Sequence, residues 1–484
     1  MEARPTYWLT RFLILRLLGV VYAVAFAIAI NQILPLIGSD GLLPVDAFLR
    51  HTPGVISVFS LYPSDTALMT GAWTGFILAC LVIAGFANMP LLALLWFLYM
   101  SFVNVGQDWY GYGWEIQLLE TGFLSIFLCP LLDPRPFPKH EPPLPIIILF
   151  RWLIFRIMLG SGLIKVRGDK SWLKWTALYY HFETQPIPGP LSRWFHFLPR
   201  MVLRFGVWYN FLAELIAPWF VFWPRIGRHI AGVIIVGLQI ILIFSGNLSF
   251  LNWLTLIPAL ACFDDRFWAR ILPRSLVRRA LAASLAAEPS RMMRITSWIV
   301  TGVIALLSLQ PVANLFSSGQ VMNTNYDPLD LVNTYGAFGS VGQERTNVVF
   351  EGTADSVDWV EYPYKGLPVY LNAAPPQVAP YQLRLDWQMW FAAMSGPDEY
   401  PWTVHLVWKL LHNDPGAVGL FTSNPFPTSP PRFVRAILYR YTFVQPGNAS
   451  GAWWQRERLG VWIPSMSVTS PLLLQFLKSY EWLK

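Results

Sequence analysis

The chain has little charge and almost no cysteine. Only 13% of its 484 residues are charged, about half of the share that soluble domains carry. Its three cysteines, Cys80, Cys129 and Cys262, lie in or beside apolar runs, and the chain after them contains none. A disulfide-stapled C-terminal domain and a CxxC redox or zinc motif are therefore excluded.

Sequence motifs of common enzymes and ligand sites are missing as well. The chain contains no Walker loop, GxGxxG fingerprint, GxSxG elbow or HExxH pair. Its seven histidines are scattered, without the cysteines or clustered carboxylates of a metal centre. The net charge of +7 is not a nucleic-acid signal, because seven arginines crowd into residues 266–294, as is typical of a topology signal. We expect no metal, no cofactor and no nucleic-acid partner.

Long apolar runs dominate the first two thirds of the chain. Hydrophobic residues make up 55% of the sequence, and a spanning helix needs about 20 mostly apolar residues in a row. The runs predict an all-α multi-pass membrane bundle over residues 1–311, with the lipid bilayer as its partner. About nine spans fit, with eight or ten as alternatives, near residues 12–31, 66–86, 89–104, 114–131, 145–165, 205–223, 229–246, 247–263 and 295–311.

Basic residues in the short loops predict the orientation of these spans. They precede the first span and follow the fourth, sixth and eighth, and all of them lie on one side if the N-terminus is cytoplasmic. The C-terminal region then lies outside the cytoplasm. The loop 166–204 is basic but falls on the outer face, so we expect it either to have another task or to be partly embedded in the membrane. Arg16 interrupts the first apolar run, which favours an uncleaved anchor over a signal peptide.

The composition changes near residue 312, where Pro, Gly, Asn and Asp begin to separate short segments. "TNVVFEGT" and "VRAILYRYTFV" have the β-branched and aromatic content of strands. "PWTVHLVWKLLHNDPG" predicts one helix that stops at Asp414-Pro415-Gly416. Residues 312–484 are therefore predicted to form a β-rich extracytoplasmic domain with one or two helices.

Seven charged residues fall inside the predicted spans: Arg16, Glu115, Glu120, Arg151, Arg156, Lys165 and Glu214. An ionisable group at membrane depth is costly, so it is usually paired or functional. The simpler interpretation is that one glutamate neutralises one of the arginines inside the bundle.

A second concentration of charge follows the fifth span, in "GLIKVRGDKSWLKWTALYYHFETQPIPGP". Lys165 ends the span and has two interpretations. Partly withdrawn from water, it could act as a base; alternatively it could extend to the membrane surface as a snorkelling lysine. The aromatic residues that follow predict a short amphipathic helix over 170–182 on the membrane, and the alternate prolines predict a stiff extended turn.

This segment closely resembles the signature of the lipase maturation factor family. Further resemblance lies in "YWLTRFLILRLLGVVYAVAFAIAINQILPLIGSDGLLP", "YGWEIQLLETGFL", "YQLRLDWQMWFAA", "NPFPTSPPRFVRAILYRYTF" and "WWQRERLGVWIP", so it covers nearly the whole chain. In the loop, the residues that carry it are Arg167, Asp169, Trp172, Tyr179, Tyr180, His181, Glu183, Gln185 and Pro186.

The resemblance implies a multi-pass membrane protein that assists the folding and assembly of exported lipases. In animals this places it at the ER membrane with a luminal C-terminal domain. The compact Arg-rich chain, without C-terminal cysteines or an acidic tail, indicates a bacterial plasma membrane and a periplasmic or extracellular C-terminal domain. The expected partner is an exported client protein, a lipase. Candidate client-binding residues on an exposed aromatic surface are Trp387, Trp390, Trp453 and Trp454.

The membrane part is also similar to the HTTM domain of the vitamin K-dependent carboxylase family. Lys165 and Trp172 match a lysine and a tryptophan of that family's motif, in which the lysine acts as the base. The catalytic histidine of that family has no counterpart in "NVGQDWYGYGWE", so carboxylation is not carried over. The alternative function is an HTTM-type membrane enzyme that acts on a lipid-soluble or quinone-like substrate with Lys165 as base. A maturation factor without a reaction of its own is favoured.

Overall fold

The computed structural model describes residues 5–483, which form a helical membrane domain followed by a mixed C-terminal domain. Five helices are long and apolar enough to cross a membrane: Trp8–Ile37, Asp65–Ala84, Leu144–Gly168, Arg225–Ser245 and Arg291–Phe316. The chain is therefore a multi-pass membrane protein. Leu144–Gly168 is the most enclosed of the five, since 83% of its most apolar stretch is buried inside the protein, against 28% to 56% for the others.

The other predicted spans also coincide with helices, but these are short or interrupted. Met89–Val105 and Leu251–Cys262 are apolar helices of fewer than 18 residues, and Gly113–Ile126 has 14 residues. Arg200–Phe211 continues through a π-helical turn into Ala217–Phe220. An α-helix rises about 1.5 Å per residue and the apolar layer of a bilayer is about 30 Å thick, so the predicted count of nine spans is not confirmed.

Shorter helices connect these elements and extend into the C-terminal domain. In the membrane domain they are Val45–His51, Val58–Ser60, Gln107–Tyr110, Lys170–Leu173, Leu178–Thr184, Ser192–His196, Asp265–Trp268 and Arg274–Leu285. In the C-terminal domain they are Arg384–Ala392, Trp402–Leu411, Pro415–Val418 and Pro471–Ser479. The predicted stop after Trp402–Leu411 is confirmed, since the Asp414 side chain caps the next short helix.

The C-terminal domain is built on a small antiparallel sheet rather than an extensive β structure. Its strands are β1 (Arg345–Thr353), β2 (Val360–Glu361), β3 (Phe433–Phe443) and β4 (Trp454–Met466), in the order β2-β1-β3-β4. The two strands predicted from the sequence are therefore confirmed as β1 and β3, and they pair with Val349 opposite Ile437. Helices and loops account for the rest, because Pro and Gly limit the length of most other segments.

The two domains share one hydrophobic core. Trp114 of the membrane domain contacts Trp387 edge-on, with ring centroids 4.8 Å apart. Trp109 contacts Trp402 at 4.8 Å. Such aromatic pairs contribute about 0.5–1.5 kcal/mol beyond the area that they bury. The C-terminal domain is therefore packed firmly on the membrane domain.

The charged side chains predicted inside the spans form ion pairs or hydrogen bonds with other groups of the protein. Arg156 forms a buried ion pair with Glu120, one of the pairings that the sequence allowed. Glu115 pairs with Arg384 of the C-terminal domain at 2.9 Å, a contact that the sequence did not indicate. Arg151 donates to the carbonyl oxygen of Ala261 at 2.8 Å instead of pairing with an acid.

Candidate functional site

The middle of the signature loop (residues 166–204) lies between the two domains. The predicted single helix over 170–182 is wrong: Lys170–Leu173 and Leu178–Thr184 are separate, with Trp175 between them at φ 62°. Residues 181–189 are all buried. The helix ends at Thr184, and the prolines after it prevent helix from continuing, which leaves backbone carbonyls here free to accept hydrogen bonds from the other domain.

Arg345, at the start of β1, binds the end of this helix and the two residues that follow it. Its guanidinium donates to the carbonyl oxygens of Glu183 at 3.1 Å, Gln185 at 2.6 Å and Pro186 at 3.1 Å. The side chain is only 1% exposed, and burial lowers the pKa of Arg345 to about 10. The arginine therefore stays charged at neutral pH and forms a three-point clamp on the loop.

Three more contacts join the loop to the C-terminal domain. The Glu183 carboxylate accepts from the backbone N–H of Phe443 at 2.6 Å. Arg193 donates to the carbonyl oxygens of Val444 at 2.6 Å and Gln445 at 2.8 Å. The sequence gave no reason to select Asn247, which lies outside the loop. Its side chain donates to the carbonyl oxygens of Pro188 in the loop at 3.0 Å and of Pro376 in the C-terminal domain at 2.8 Å.

The first half of the loop holds the segment that leads into the C-terminal domain. Arg167 donates to the side chain of Gln320 at 2.6 Å. Asp169 accepts from the backbone N–H of Val341 at 3.1 Å. Trp172 donates to the carbonyl oxygen of Phe338 at 2.9 Å. The first three signature positions therefore fix residues 320–341.

The remaining signature residues have supporting contacts. Gln185 donates to the carbonyl oxygen of Ser245 at 3.0 Å, at the end of a membrane helix. Tyr179 accepts from Arg204 at 2.9 Å, and Tyr180 packs on a small cluster that contains Trp172. His181 lies edge-on to Phe338, with ring centroids 4.8 Å apart. Their role as a functional site stays a prediction.

The four candidate client-binding tryptophans are not a common exposed surface. Trp387 is 4% exposed and Trp454 is 1% exposed, so the expectation that they are exposed is wrong. They belong to the cores beneath the sheet and between the domains. Trp390 and Trp453 are half-buried. Trp390 donates to the carbonyl oxygen of Thr184 at 2.9 Å, and Trp453 lies 4.7 Å from the guanidinium of Arg193.

Lys165 is buried and paired, which contradicts the interpretation as a snorkelling lysine. The residue is 3% exposed, and its ammonium lies 2.5 Å from a carboxylate oxygen of Glu214. Glu214 sits in the π-helical turn Leu212–Ile216, and π-helical turns occur frequently at functional sites. Asn210 donates to the same oxygen of Glu214 at 3.4 Å. The Trp172 ring lies 5.1 Å from the lysine ammonium.

Two cavities lie behind the signature loop. The larger has a volume of about 320 Å³ and is lined by residues of both domains, including Trp114, Trp387 and Trp390. The smaller has a volume of about 70 Å³ and contains Lys165 and Glu214 in its wall. Among residues 5–483, no group of three or more His, Cys, Asp or Glu side chains is arranged to hold a metal ion.

A buried histidine at the junction of the domains makes stability depend on pH. His405 is 3% exposed and its ring stacks on Trp482 with centroids 4.6 Å apart. Burial lowers the pKa of His405 to about 4, below the value of about 6.5 in an unfolded chain. A depressed histidine pKa means that the unfolded state takes up a proton first as the pH falls from about 6.5.

We therefore expect His405 to lower the free energy of unfolding by about 2 kcal/mol between pH 7 and pH 5. Burial raises the pKa of Asp386 to about 6, which acts in the opposite direction, so the histidine is isolated by comparing wild type with His405→Gln. Thermal unfolding at the two pH values should show a smaller pH effect in the variant. The exposed His412→Gln is the matched control and should behave as wild type. An equal pH effect in His405→Gln and wild type would contradict the assignment.

The chain matches two protein-family models. They are the lipase maturation factor transmembrane domain, over residues 9–270, and the lipase maturation factor C-terminal domain, over residues 331–464. Lipase maturation factor 1 of Bos taurus is 44% identical, with 96% of this chain and 90% of that protein aligned. The Homo sapiens protein of the same name is 44% identical, with 96% and 88% aligned. Lipase maturation factor 2 of Rattus norvegicus is 30% identical, with 97% and 84% aligned. No solved structure matches the chain. Matches that run through both domains confirm the resemblance seen in the signature loop, and the chain belongs to the lipase maturation factor family.

Proposed function

We propose that this protein is a membrane-anchored factor that assists the maturation of exported lipases. The observation that carries this is the match of both domains, over 96% of the chain, to relatives named lipase maturation factor 1. In this proposal the membrane domain ends near residue 311, and residues 312–484 face the periplasm or the outside of a bacterial plasma membrane. In a eukaryotic cell the same domain faces the ER lumen.

The way in which the C-terminal domain is attached supports a fixed client platform rather than a freely moving chaperone domain. Arg345 and Arg384 both bind groups of the membrane domain and are 1% exposed. A client would therefore meet the C-terminal domain at a constant position relative to the bilayer. Of the predicted client-binding residues, Trp390 and Trp453 remain candidates for contact, while Trp387 and Trp454 support the surface from within.

The test is the specific activity of a secreted lipase. A lipase encoded by the same genome is expressed in a host without a relative of this protein, with or without the full chain. We expect the chain to raise the lipase activity per mass of secreted enzyme, while an exported phosphatase, the control client, is unaffected. A chain that ends after residue 316, with the membrane domain alone, should give no increase. Equal specific activity with and without the full chain would contradict the proposal.

A second candidate is a membrane enzyme of the HTTM type with Lys165 as base, acting on a lipid-soluble or quinone-like substrate. The burial of Lys165 in the wall of a cavity favours it. Because Lys165 is paired with Glu214, the glutamate would have to accept the proton before the lysine could act as a base. Lys165→Arg, added to the same lipase assay, separates the two: arginine keeps the ion pair but remains protonated. Retained maturation in this variant would show that lipase maturation needs no base at this position.

A further inference from the structure

We propose that the two cavities behind the signature loop form one binding site for a neutral, single-chain amphiphile with a hydroxyl head group, such as a monoacylglycerol. The acyl chain of this ligand lies in the larger cavity, and its head group lies beside Lys165, Glu214 and Asn210. The inference does not depend on the proposed function, because it concerns a ligand of the membrane domain and not a protein client.

The larger cavity has the size and chemistry of an apolar ligand site. Its volume of about 320 Å³ falls at the lower end of the range of roughly 300–1,000 Å³ that is typical of small-molecule sites. Its wall combines aromatic and aliphatic side chains from both domains, among them Trp114, Trp387, Leu248, Leu251, Met322 and Met394. Flexible methionine side chains in such a wall can adapt to an acyl chain of variable shape.

The smaller cavity adjoins the larger one directly. Seven residues line both, and they include Ser161, His181, Ala337 and Phe338. No further layer of protein therefore separates the two spaces. A ligand that fills the larger cavity along its length would bring one end to the side chains around Lys165.

This end of the site has unused hydrogen-bonding groups. The second carboxylate oxygen of Glu214 and the side-chain oxygen of Asn210 bond to no other group among the described residues, although the two residues are only 4% and 7% exposed. The ammonium of Lys165 has three N–H groups and uses one on Glu214. Since a buried polar atom without a partner is destabilising, these groups favour a ligand that both donates and accepts.

The charge balance selects a neutral head group. Lys165 and Glu214 neutralise each other. Arg167 and Asp169, the first two charges of the loop in the sequence, are bound to Gln320 and to the backbone of Val341. Burial, with a smaller effect of Lys165, lowers the pKa of His181 to about 4, so this histidine is neutral at physiological pH. A carboxylate, phosphate or ammonium would bring an unbalanced charge into a buried site, whereas a hydroxyl meets both needs.

The test uses the purified full chain in nanodiscs of saturated phosphatidylcholine and a monoacylglycerol with a diazirine in its acyl chain. After illumination, we expect labelled peptides from residues 322–342 or 387–394, since both stretches contribute residues to the wall of the larger cavity. Unlabelled 1-monooleoylglycerol should compete for labelling. Oleate, which is charged, and methyl oleate, which has no hydroxyl, should each compete at least tenfold more weakly.

Two variants probe the two ends of the site. Ala337→Phe fills the boundary between the cavities and should abolish the competed labelling. Asn210→Leu removes an unpaired acceptor and should weaken competition about tenfold, the effect of one buried hydrogen bond. Asn104→Leu, on the helix Met89–Val105, lines neither cavity and is the matched control. Thermal unfolding of each variant shows that it is folded.

The outcomes separate a site from general lipid contact. Labels spread over the exposed face of Arg291–Phe316, or equal competition by methyl oleate, would overturn the proposal. Unchanged competition in both Ala337→Phe and Asn210→Leu would also overturn it. Loss in Ala337→Phe together with better competition by oleate than by monooleoylglycerol would assign the site to an anion, and the neutral head group would be wrong.

Discussion

Replacing either partner of the Glu115–Arg384 ion pair is expected to lower the free energy of unfolding by about 3–5 kcal/mol, because the remaining charge stays buried. The pair joins the helix Gly113–Ile126 of the membrane domain to the C-terminal domain at 2.9 Å, and the exposures of the two side chains are 0% and 1%. The arginine also stacks 3.5 Å from the ring centroid of Tyr110. Glu115→Gln and Arg384→Met should each destabilise the protein, and the double variant should lose less than the sum of the two.

The measurement is a double-mutant cycle on the full chain in nanodiscs, with thermal unfolding followed by tryptophan fluorescence. The matched control is Arg440→Met, which removes ion pairs with Glu344 and Glu457 on the sheet; the arginine there is 36% exposed. We expect about 1 kcal/mol or less for this control, since water screens a partly exposed pair. If Glu115→Gln and Arg384→Met each lower the free energy of unfolding by less than about 0.5 kcal/mol, the contact does not hold the domains together.

A protease site introduced at the exposed Ser317–Gly319 stretch gives an independent readout of the same contact. After cleavage, the wild-type C-terminal fragment should stay with the membrane domain through the clamp and the shared core. In Arg384→Met the fragment should be released by mild washing. Release of the wild-type fragment would contradict the rigid attachment of the two domains.

The sequence predicted where the helices and the main strands lie, but not which apolar runs are long enough to cross a bilayer. Gly113–Ile126 shows why. It is apolar enough to be taken as a span, but it carries Glu115 and Glu120 and is almost entirely buried by neighbouring helices. Hydropathy measures preference for an apolar environment, and a protein core satisfies that preference as well as lipid does.

The sequence also identified the signature loop, but not the residues that the loop contacts. Arg345 is about 160 residues from the carbonyls that it binds, and Phe443 is 260 residues from Glu183. No local period or motif connects such positions. The tryptophans show the same limit, because the sequence reveals an aromatic side chain but not whether it faces a core or the solvent. Glu214 was visible as a charge in a span, but its pairing with Lys165 depends on how two helices pack.

Replacing Arg345 by methionine is expected to release the signature loop from the C-terminal domain. The variant leaves the carbonyls of Glu183, Gln185 and Pro186 without their donor. Each unsatisfied buried group costs about 1–3 kcal/mol, so we expect the local stability of residues 181–189 to fall by about 3 kcal/mol or more. Hydrogen exchange of peptides from this stretch should accelerate by about 100-fold, since about 1.4 kcal/mol corresponds to a factor of ten.

The matched control is Arg440→Met on β3, an exposed arginine that pairs with Glu344 and Glu457 at 3.0 Å each. Surface pairs contribute about 0–1 kcal/mol, so exchange in residues 181–189 should not change in this variant. Arg345→Lys should lie between wild type and Arg345→Met, because an ammonium keeps the charge but lacks the planar fork that spans several carbonyls. In the lipase assay the three variants should follow the same order if a fixed platform is what the client requires. If Arg345→Met exchanges hydrogen at the wild-type rate, the prolines alone hold the loop. If exchange is fast but lipase maturation is undiminished, the clamp contributes to stability only and not to the action on the client.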